Sequence, residues 1–448
     1  MAELVWEGKY RDGVRVQPTR DALPLLTDEA HHQQDADESS RNGWRNRLVL
    51  GDQEHVLPAL SAELAGKVAL VYVDPPFDTG GAFDFRASIP GAPGDTPRIA
   101  VPAYSDARGL DAWLAWFDGA ARRLADLLAD GGSLYVHLDA HVAHYAKVVL
   151  DEVFGPGAFQ REIVWRIGWV SGFKSRVRGW VRNHDTLLFY AKGGRPSTFH
   201  KEYVPYPPGY VRRDGKPPSG AGYPTEDVWN ASDLDRMDSI QIMSFSGEKV
   251  GYPTQKNEAL VSRIVRASSN PGDLVLDCFV GSGTTAVVAE KLGRRWVACD
   301  ASAIAVHTTR KRLLGLPRIA PLLVQRATTS PDAVTAAAPR DLDARVAVDG
   351  RQATIELASF ALPLRSVPEP VRAGVEHWSQ WIDGWCIDWD HHGGTLNAES
   401  RLWRARAKSR LALSATHAYG GPGRYVALVK TFDVLGGTTT KRLDVEVG

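Results

Sequence analysis

Two kinds of apolar pattern alternate along the chain. Short runs are apolar throughout: Val-Ala-Leu-Val-Tyr-Val at 68–73, Leu-Val-Leu at 274–276 and Trp-Val-Ala-Cys at 296–299. Runs this short, without polar alternation, predict strands buried on both faces, as in a parallel sheet covered by helices. Residues 47–50, 133–138, 163–166 and 186–191 read as further strands of that sheet. Between the strands, the apolar period lengthens. Residues 110–129 carry Leu110, Trp113, Leu114, Phe117, Ala121, Leu124, Leu127 and Leu128 at helical spacing and stop at Gly131-Gly132. Residues 141–154 and about 284–292 also read as helices. Strands alternating with helices predict an α/β domain.

Several stretches carry no such period. Residues 1–45 are polar, with an acidic run at Asp35-Ala-Asp-Glu38, and read as an irregular lead-in arm. Residues 78–108 contain Gly80-Gly81 and several prolines and read as a long loop beside the end of the 68–73 strand. Residues 195–251, rich in Pro, Gly and Tyr, are expected to be irregular. Residues 328–340 are rich in Ala, Thr and Pro and read as part of a linker, placed at 328–344. Beyond it the pattern changes to short strands, at 345–348, 354–357, 425–431 and 441–447, with turn signals at Gly393-Gly394 and Gly436-Gly437. Residues 345–448 are therefore expected to form a separate all-β module.

Composition narrows the class. At 448 residues, with 44% hydrophobic and 24% charged, the chain suits a globular protein of two domains. It has no 18-residue apolar run, so no membrane span is expected. The first residues lack a basic region followed by a hydrophobic core and do not read as a signal peptide. Three cysteines, without a disulfide pattern, suggest a reducing, cytoplasmic setting. No Pro-Cys pair occurs, which argues against the thiolate attack that methylation of cytosine C5 requires. Net charge is zero but unevenly spread. Residues 161–216 hold twelve Lys/Arg against four Asp/Glu, with Trp169, Phe173 and Trp180 interleaved. A basic stretch with aromatics suits phosphate contacts and stacking.

The chemistry gathers at two motifs. Asp74-Pro75-Pro76-Phe77 follows directly on the 68–73 strand, at the carboxyl edge where open α/β sheets bind ligands. A carboxylate and a backbone carbonyl can each accept a hydrogen bond from an exocyclic amine and so localise its lone pair. Prolines fix φ and hold that carbonyl in place, and an aromatic ring can stack on a base drawn out of a duplex. The second motif runs from Asp277-Cys278-Phe279-Val280-Gly281-Ser282-Gly283-Thr284 to Asp300. It is a strand, a glycine turn, a helix and a second strand ending in an acid, an order suited to a nucleotide-like ligand whose ribose meets the acid. Ala286 replaces the third glycine of the dinucleotide fingerprint. Trp385-Cys-Ile-Asp-Trp-Asp-His-His reads as a strand running into a polar turn rather than as a metal site from Asp388, Asp390, His391 and His392; no metal is expected. His137 and His184 read as structural.

Taken together, in this order, the motifs resemble those of the β-group amino DNA methyltransferases, which carry the Asp-Pro-Pro-aromatic segment before the cofactor turn. The likeness spans about residues 3–316 and is greatest to modification subunits of type III restriction systems. Leu50-Gly51-Asp52 is similar to the family's segment near the cofactor adenine, and Tyr252-Pro-Thr-Gln-Lys256 to its segment near the methionine end. Asn257 stands where the family usually has Pro.

The resemblance implies a Rossmann-like S-adenosylmethionine-dependent methyltransferase core of circularly permuted motif order over 46–327. Within it, 167–251 is expected to serve target recognition. It also implies transfer of a methyl group to adenine N6 in DNA, since cytosine-N4 members more often begin the motif with Ser; cytosine N4, or a DNA-binding specificity subunit for a partner nuclease, is the alternative. The catalytic segment would be Asp74, Pro75, Pro76 and Phe77, with the Pro75 carbonyl as second acceptor. The cofactor would meet Asp52, Thr254, Lys256, Asp277, Phe279, Gly281, Gly283, Thr284 and Asp300. Lys174, Arg176, Arg178 and Arg182 are the expected phosphate contacts. Double-stranded DNA is the implied partner, with a homodimer and a restriction (nuclease or translocase) subunit as further candidates. His417-Ala-Tyr-Gly-Gly-Pro-Gly-Arg-Tyr425, followed by a strand ending in Asp433, resembles the end of a PKD or immunoglobulin-like β-sandwich.

Overall fold

The computed structural model describes the chain apart from residues 1, 19–20, 32–42, 93–96, 168–176, 233–234, 236–246, 330–339, 364–366 and 405–409. Its apolar runs become the centre of one long sheet. In chain order the strands of that sheet are β1 (Leu25–His31), β2 (Asn46–Leu50), β3 (Val68–Val73), β4 (Leu128–Leu138), β5 (Phe159–Arg166), β6 (His184–Ala191), β7 (Val228–Trp229), β8 (Leu274–Asp277), β9 (Arg295–Asp300), β10 (Leu322–Ala327) and β11 (Leu396–Asn397). Among the described residues their spatial order is β7-β5-β6-β4-β3-β8-β9-β2-β10-β1-β11. From β4 to β10 every pairing is parallel. Parallel strands need both faces covered, and the helices supply that cover. Helices α1 (Gln53–Leu64), α2 (Leu110–Leu127) and α3 (Ala143–Phe154) pack on one face. Helices α4 (Glu258–Ser268), α5 (Thr284–Lys291) and α6 (Ala303–Leu314) pack on the other. Strand β3 serves both layers, with Val71 and Val73 in the first core and Leu70 and Tyr72 in the second. No helix among the described residues is long and apolar enough to cross a membrane.

Two stretches expected to be irregular are ordered. Residues 25–31, inside the expected lead-in arm, form β1, antiparallel to β10. The apolar pattern gave no sign of it because Glu29 and His31 are buried there as polar residues; Glu29 accepts from the distant Arg310 and pairs with His31 beside it. Residues 78–108, expected to be a loop, contain an antiparallel hairpin of Gly81–Ala87 with Ile99–Asp106. Its buried residues, Phe85, Ala87, Ile99 and Ala103, pack outside the main sheet.

The C-terminal part forms two antiparallel sheets. One has three strands, Asp341–Asp349, Gln352–Ala361 and Ser414–Ala418; the other has four, in the order Ser400–Trp403, Ile382–Asp388, Gly423–Asp433, Thr438–Val447. These contain the four short strands expected from the pattern. The unit is not set apart from the core, however. Strand β11 extends the main sheet by pairing with β1, and one hydrophobic cluster joins the sandwich to the hairpin, to Tyr252 and to Ile304 of α6.

A buried carboxylate ties the central layers together. Glu290, on α5, accepts from Asn46 Nδ2 at 2.8 Å, Trp296 Nε1 at 2.9 Å and the Ala320 N–H at 2.6 Å. Glu290→Ala orphans three buried donors. It should cost roughly 3 kcal/mol or more, measured by urea unfolding.

Candidate active site

The two motifs lie nearly 200 residues apart, and the sheet makes them neighbours. β3 and β8 pair in parallel, Leu70 opposite Val275 and Val71 opposite Leu276. Their carboxyl ends therefore open on the same edge, and the chain that leaves each strand lines one cavity of about 380 Å³. The next strand, β9, adds Asp300, and the loop after β2 adds Asp52. Every catalytic or cofactor residue nominated from the sequence lines this cavity except Gly283. That glycine adopts φ +82° at the start of α5, where a Cβ would come within 2.6 Å of Thr309 Oγ1 on α6. Its smallness serves helix packing rather than the cavity wall.

Asp74 is held by one oxygen only. Lys256 Nζ donates to its Oδ2 at 2.5 Å, while Oδ1 is buried with no hydrogen-bond partner among the described residues. A buried carboxylate oxygen left open is costly, and this one keeps an acceptor free at the cavity. Trp113 Nε1 donates to the Pro76 carbonyl at 2.8 Å, which fixes the loop and commits that carbonyl. From the other side Asp106, at the end of the hairpin, accepts from the Asp78 N–H at 2.7 Å and from Thr79 Oγ1 at 2.6 Å. Phe77 lines the cavity in front of His137, the two rings stacked 6.4 Å apart. His137 is linked to Tyr72 Oη at 3.0 Å and to Asp185 Oδ2 at 3.2 Å. Burial raises the Asp185 carboxyl, but the hydrogen bond and charge of His137, with Lys256 and Arg182, outweigh it and hold the group at about 2. His184 begins β6 at an exposed position.

The glycine turn is shaped by carboxylates. Asp300 accepts from the Gly281 N–H through Oδ2 and from the Ser302 N–H through Oδ1, each at 2.9 Å. Burial nevertheless lifts its carboxyl to about 6, and the Asp52 charge adds to the rise. Asp277 accepts from the Phe279 N–H at 2.9 Å. Burial lifts it to about 7, helped by the charges of Asp74 and Asp300 and opposed by hydrogen bonds from Thr285 and Phe279. Such a rim of buried acids favours a cationic ligand. Asp52 caps α1, accepting from the Glu54 N–H at 2.9 Å. Asn257, at the place the resemblance would give to Pro, caps α4 by accepting from the Leu260 N–H at 2.8 Å. Thr284 Oγ1 donates to the Lys256 carbonyl at 2.9 Å, joining the glycine turn to the segment that holds Asp74.

Sequence reasoning missed part of the lining. Tyr104 and Asp106 come from the hairpin, Trp116 from α2 and Gln53 from α1. Tyr104 Oη meets Thr254 Oγ1 at 3.1 Å, and Gln53 Nε2 is buried with no partner among the described residues. The alternation of Phe83, Phe85 and Ala87 with polar neighbours was the available signal for the hairpin. No signal marked Gln53.

Of the four expected phosphate contacts, Lys174 and Arg176 lie outside the described residues. Arg178 is exposed. Arg182 is exposed along its side chain and pairs its guanidinium with Asp185 and, at 3.5 Å, with Asp139. In the C-terminal part, Asp388 Oδ2 is taken by His391 Nδ1 and the Asn397 N–H, both at 2.9 Å. That is the polar turn expected from the sequence.

Comparison with known proteins gives a consistent set of likenesses. A family model described as DNA methylase matches residues 68–311. The type II methyltransferase M.EcaI of Enterobacter cloacae is 28% identical over 326 residues, covering 60% of this chain and 69% of the relative. The type II methyltransferase M1.MboII of Moraxella bovis is 33% identical over 208 residues, covering 43% of this chain and 74% of the relative. Among solved structures, the M1.HpyAVI–SAM complex aligns with 60% of this chain and 99% of its own at 19% identity, with a TM-score of 0.37.

The raised Asp277 carboxyl sets a pH dependence of stability. The folded state holds this proton more tightly than the unfolded chain does. The stability this confers is complete below the ordinary aspartate range and is lost as pH rises through about 7. Asp277→Asn should therefore match the parent near about pH 4 and exceed it by roughly a few kcal/mol near about pH 8. Urea unfolding across that range measures the difference; equal stability at both ends would contradict it.

Proposed function

The chain belongs to the N6/N4 DNA methylase family, and from that premise we propose that it methylates the N6 amine of adenine in DNA. The observation that carries the proposal is Asp74, with one carboxylate oxygen held by Lys256 and the other buried and open in the cavity. An exocyclic amine donating to Oδ1 would have its lone pair drawn out of conjugation and turned toward the cofactor. The Pro75 carbonyl is the candidate second acceptor, and the Pro76 carbonyl already accepts from Trp113. Phe77, supported from behind by His137, offers a ring for the extruded base. The choice of adenine over cytosine rests on Asp rather than Ser at the head of the motif. The named relatives are type II methyltransferases, and a restriction-modification setting of that kind suits the chain.

The methyl donor of the family is S-adenosylmethionine, which when bound supplies an electrophilic methyl group. The residues present fit it. Asp300 keeps free lone pairs for ribose hydroxyls after meeting two backbone N–H groups. Gly281, at φ +49°, brings bare backbone to the cavity. Asp277 adds negative charge, and Gln53 Nε2, with no partner among the described residues, is a donor awaiting an acceptor. Asp52, Thr254, Phe279 and Thr284 complete the proposed contacts. Catalysis would rest on orientation, because direct transfer needs no covalent enzyme intermediate.

Long-read kinetic sequencing of DNA from a methylation-deficient host expressing the chain tests the reading. N6-methyladenine in a fixed context is expected; N4-methylcytosine would transfer the same mechanism to the other base. Asp74→Ala should lower turnover by at least about 100-fold while cofactor affinity, read by calorimetry, stays within a few-fold. Retained turnover would remove Asp74 from the chemistry. Replacing Lys174, Arg176 and Arg178 with Ala should lower the log–log salt slope of DNA binding by about 0.9 per lost phosphate contact. An unchanged slope would place DNA elsewhere.

A further inference from the structure

Helix α6 lies between the glycine turn and the C-terminal sandwich, and its successive residues face each in turn. Toward the turn, Thr309 packs on Gly283 with no room for a Cβ, and Thr309 Oγ1 lies 3.4 Å from the Gly281 carbonyl. Arg312 Nη1 donates to the Ser282 carbonyl at 2.8 Å. Toward the sandwich, one turn of helix presents His307, Arg310 and Lys311. His307 Nε2 meets Asp383 Oδ2 at 3.0 Å, and Lys311 Nζ donates to Asp383 Oδ1 at 2.7 Å. Arg310 donates to Glu29 Oε1 at 2.8 Å; Lys430 of the sandwich donates to the same oxygen at 2.7 Å. The Arg310 guanidinium also lies 4.0 Å over the Phe432 ring. Glu29, His307, Arg310 and Asp383 are all buried. A second connection reaches the loop that joins the two hairpin strands. Gln380 Nε2 donates to the Pro90 carbonyl at 2.9 Å, next to the hairpin whose Tyr104 and Asp106 line the cavity.

We propose that the C-terminal sandwich is the back support of the cofactor turn, with Asp383 as the positioning residue that holds α6 and, through it, residues 281–284. Asp383 lies beyond the stretch matched by the family model, residues 68–311. The physical basis is the turn's lack of side chains. With glycines at 281 and 283, its shape depends on what packs behind it, and that is α6. A charged cluster buried on the far side of α6 permits few alternative placements of the helix, because any shift strands an ion without its partner.

The proposal rests on the assignment of S-adenosylmethionine to the cavity beside Gly281, and the experiment separates the two. In the full chain, Asp383→Asn should weaken S-adenosylmethionine binding by about 3- to 30-fold, read by calorimetry on protein shown to be folded. KM for the cofactor should rise while kcat at saturation and DNA affinity stay near the parent values, and amide exchange at 281–284 should quicken. Val445→Ala, in the sandwich core on Thr438–Val447, is the control for general destabilisation; it should lower the melting temperature without moving cofactor affinity. Lys311→Met breaks the same contact at a half-exposed side chain and serves if Asp383→Asn does not fold. Unchanged cofactor affinity and exchange in the folded variant, or equal changes in Val445→Ala, overturn the proposal. Asp300→Ala distinguishes the underlying assignment. If it too leaves cofactor affinity unchanged, the cavity assignment fails; if it alone weakens binding, only the role of Asp383 fails.

Discussion

The parallel pairing of Val68–Val73 with Leu274–Asp277 is the contact on which the site depends. Neither motif can act alone. The Asp-Pro-Pro-Phe segment offers acceptors for an amine, and the glycine turn offers a seat for a ligand. Only a shared sheet edge sets them around the same 380 Å³ cavity. Parallel neighbours both end at that edge, so the register of Leu70 against Val275 decides how far Asp74 stands from Asp277 and Gly281. A slip of one residue would turn Asp74 away from the cavity.

Around that edge the protein keeps charge where burial opposes it. Asp277 and Asp300 are lifted toward neutrality by desolvation, with backbone N–H groups pulling the other way. Asp74 is treated differently, with an ammonium group on one oxygen and the other left open. The three acids are therefore not equivalent: two line a place suited to positive charge, and one keeps an acceptor open.

A second buried charge cluster, around Glu29 and Asp383, sits behind α6. It explains why a polar segment such as Leu25–His31 can be a strand of the main sheet. Each buried charge there has a partner on another element, so the strand, the helix and the sandwich are held to one another rather than merely adjacent. Burial drives Glu29 upward, but Arg310, Lys430 and His31 outweigh it and keep the carboxyl well below its ordinary range.

The motif resemblance supplied the nominated cofactor residues; local signals alone determined most of the central strands, the helices at Leu110–Leu127, Ala143–Phe154 and Thr284–Lys291, and the order of the two motifs. Those features follow from short-range pattern: apolar runs, 3.6-residue periodicity, and glycine or proline where backbone geometry demands them. Tertiary structure decided the rest. It made a strand of 25–31 and a hairpin within 78–108, where burial of polar groups or an unpaired alternation hid the element. It paired Arg182 with Asp185 and gave Gly283 to Thr309. It also joined the sandwich to the cofactor turn through α6. Each of these depends on partners far away in the chain, and a side chain's neighbour across such a distance leaves no mark on its own local sequence.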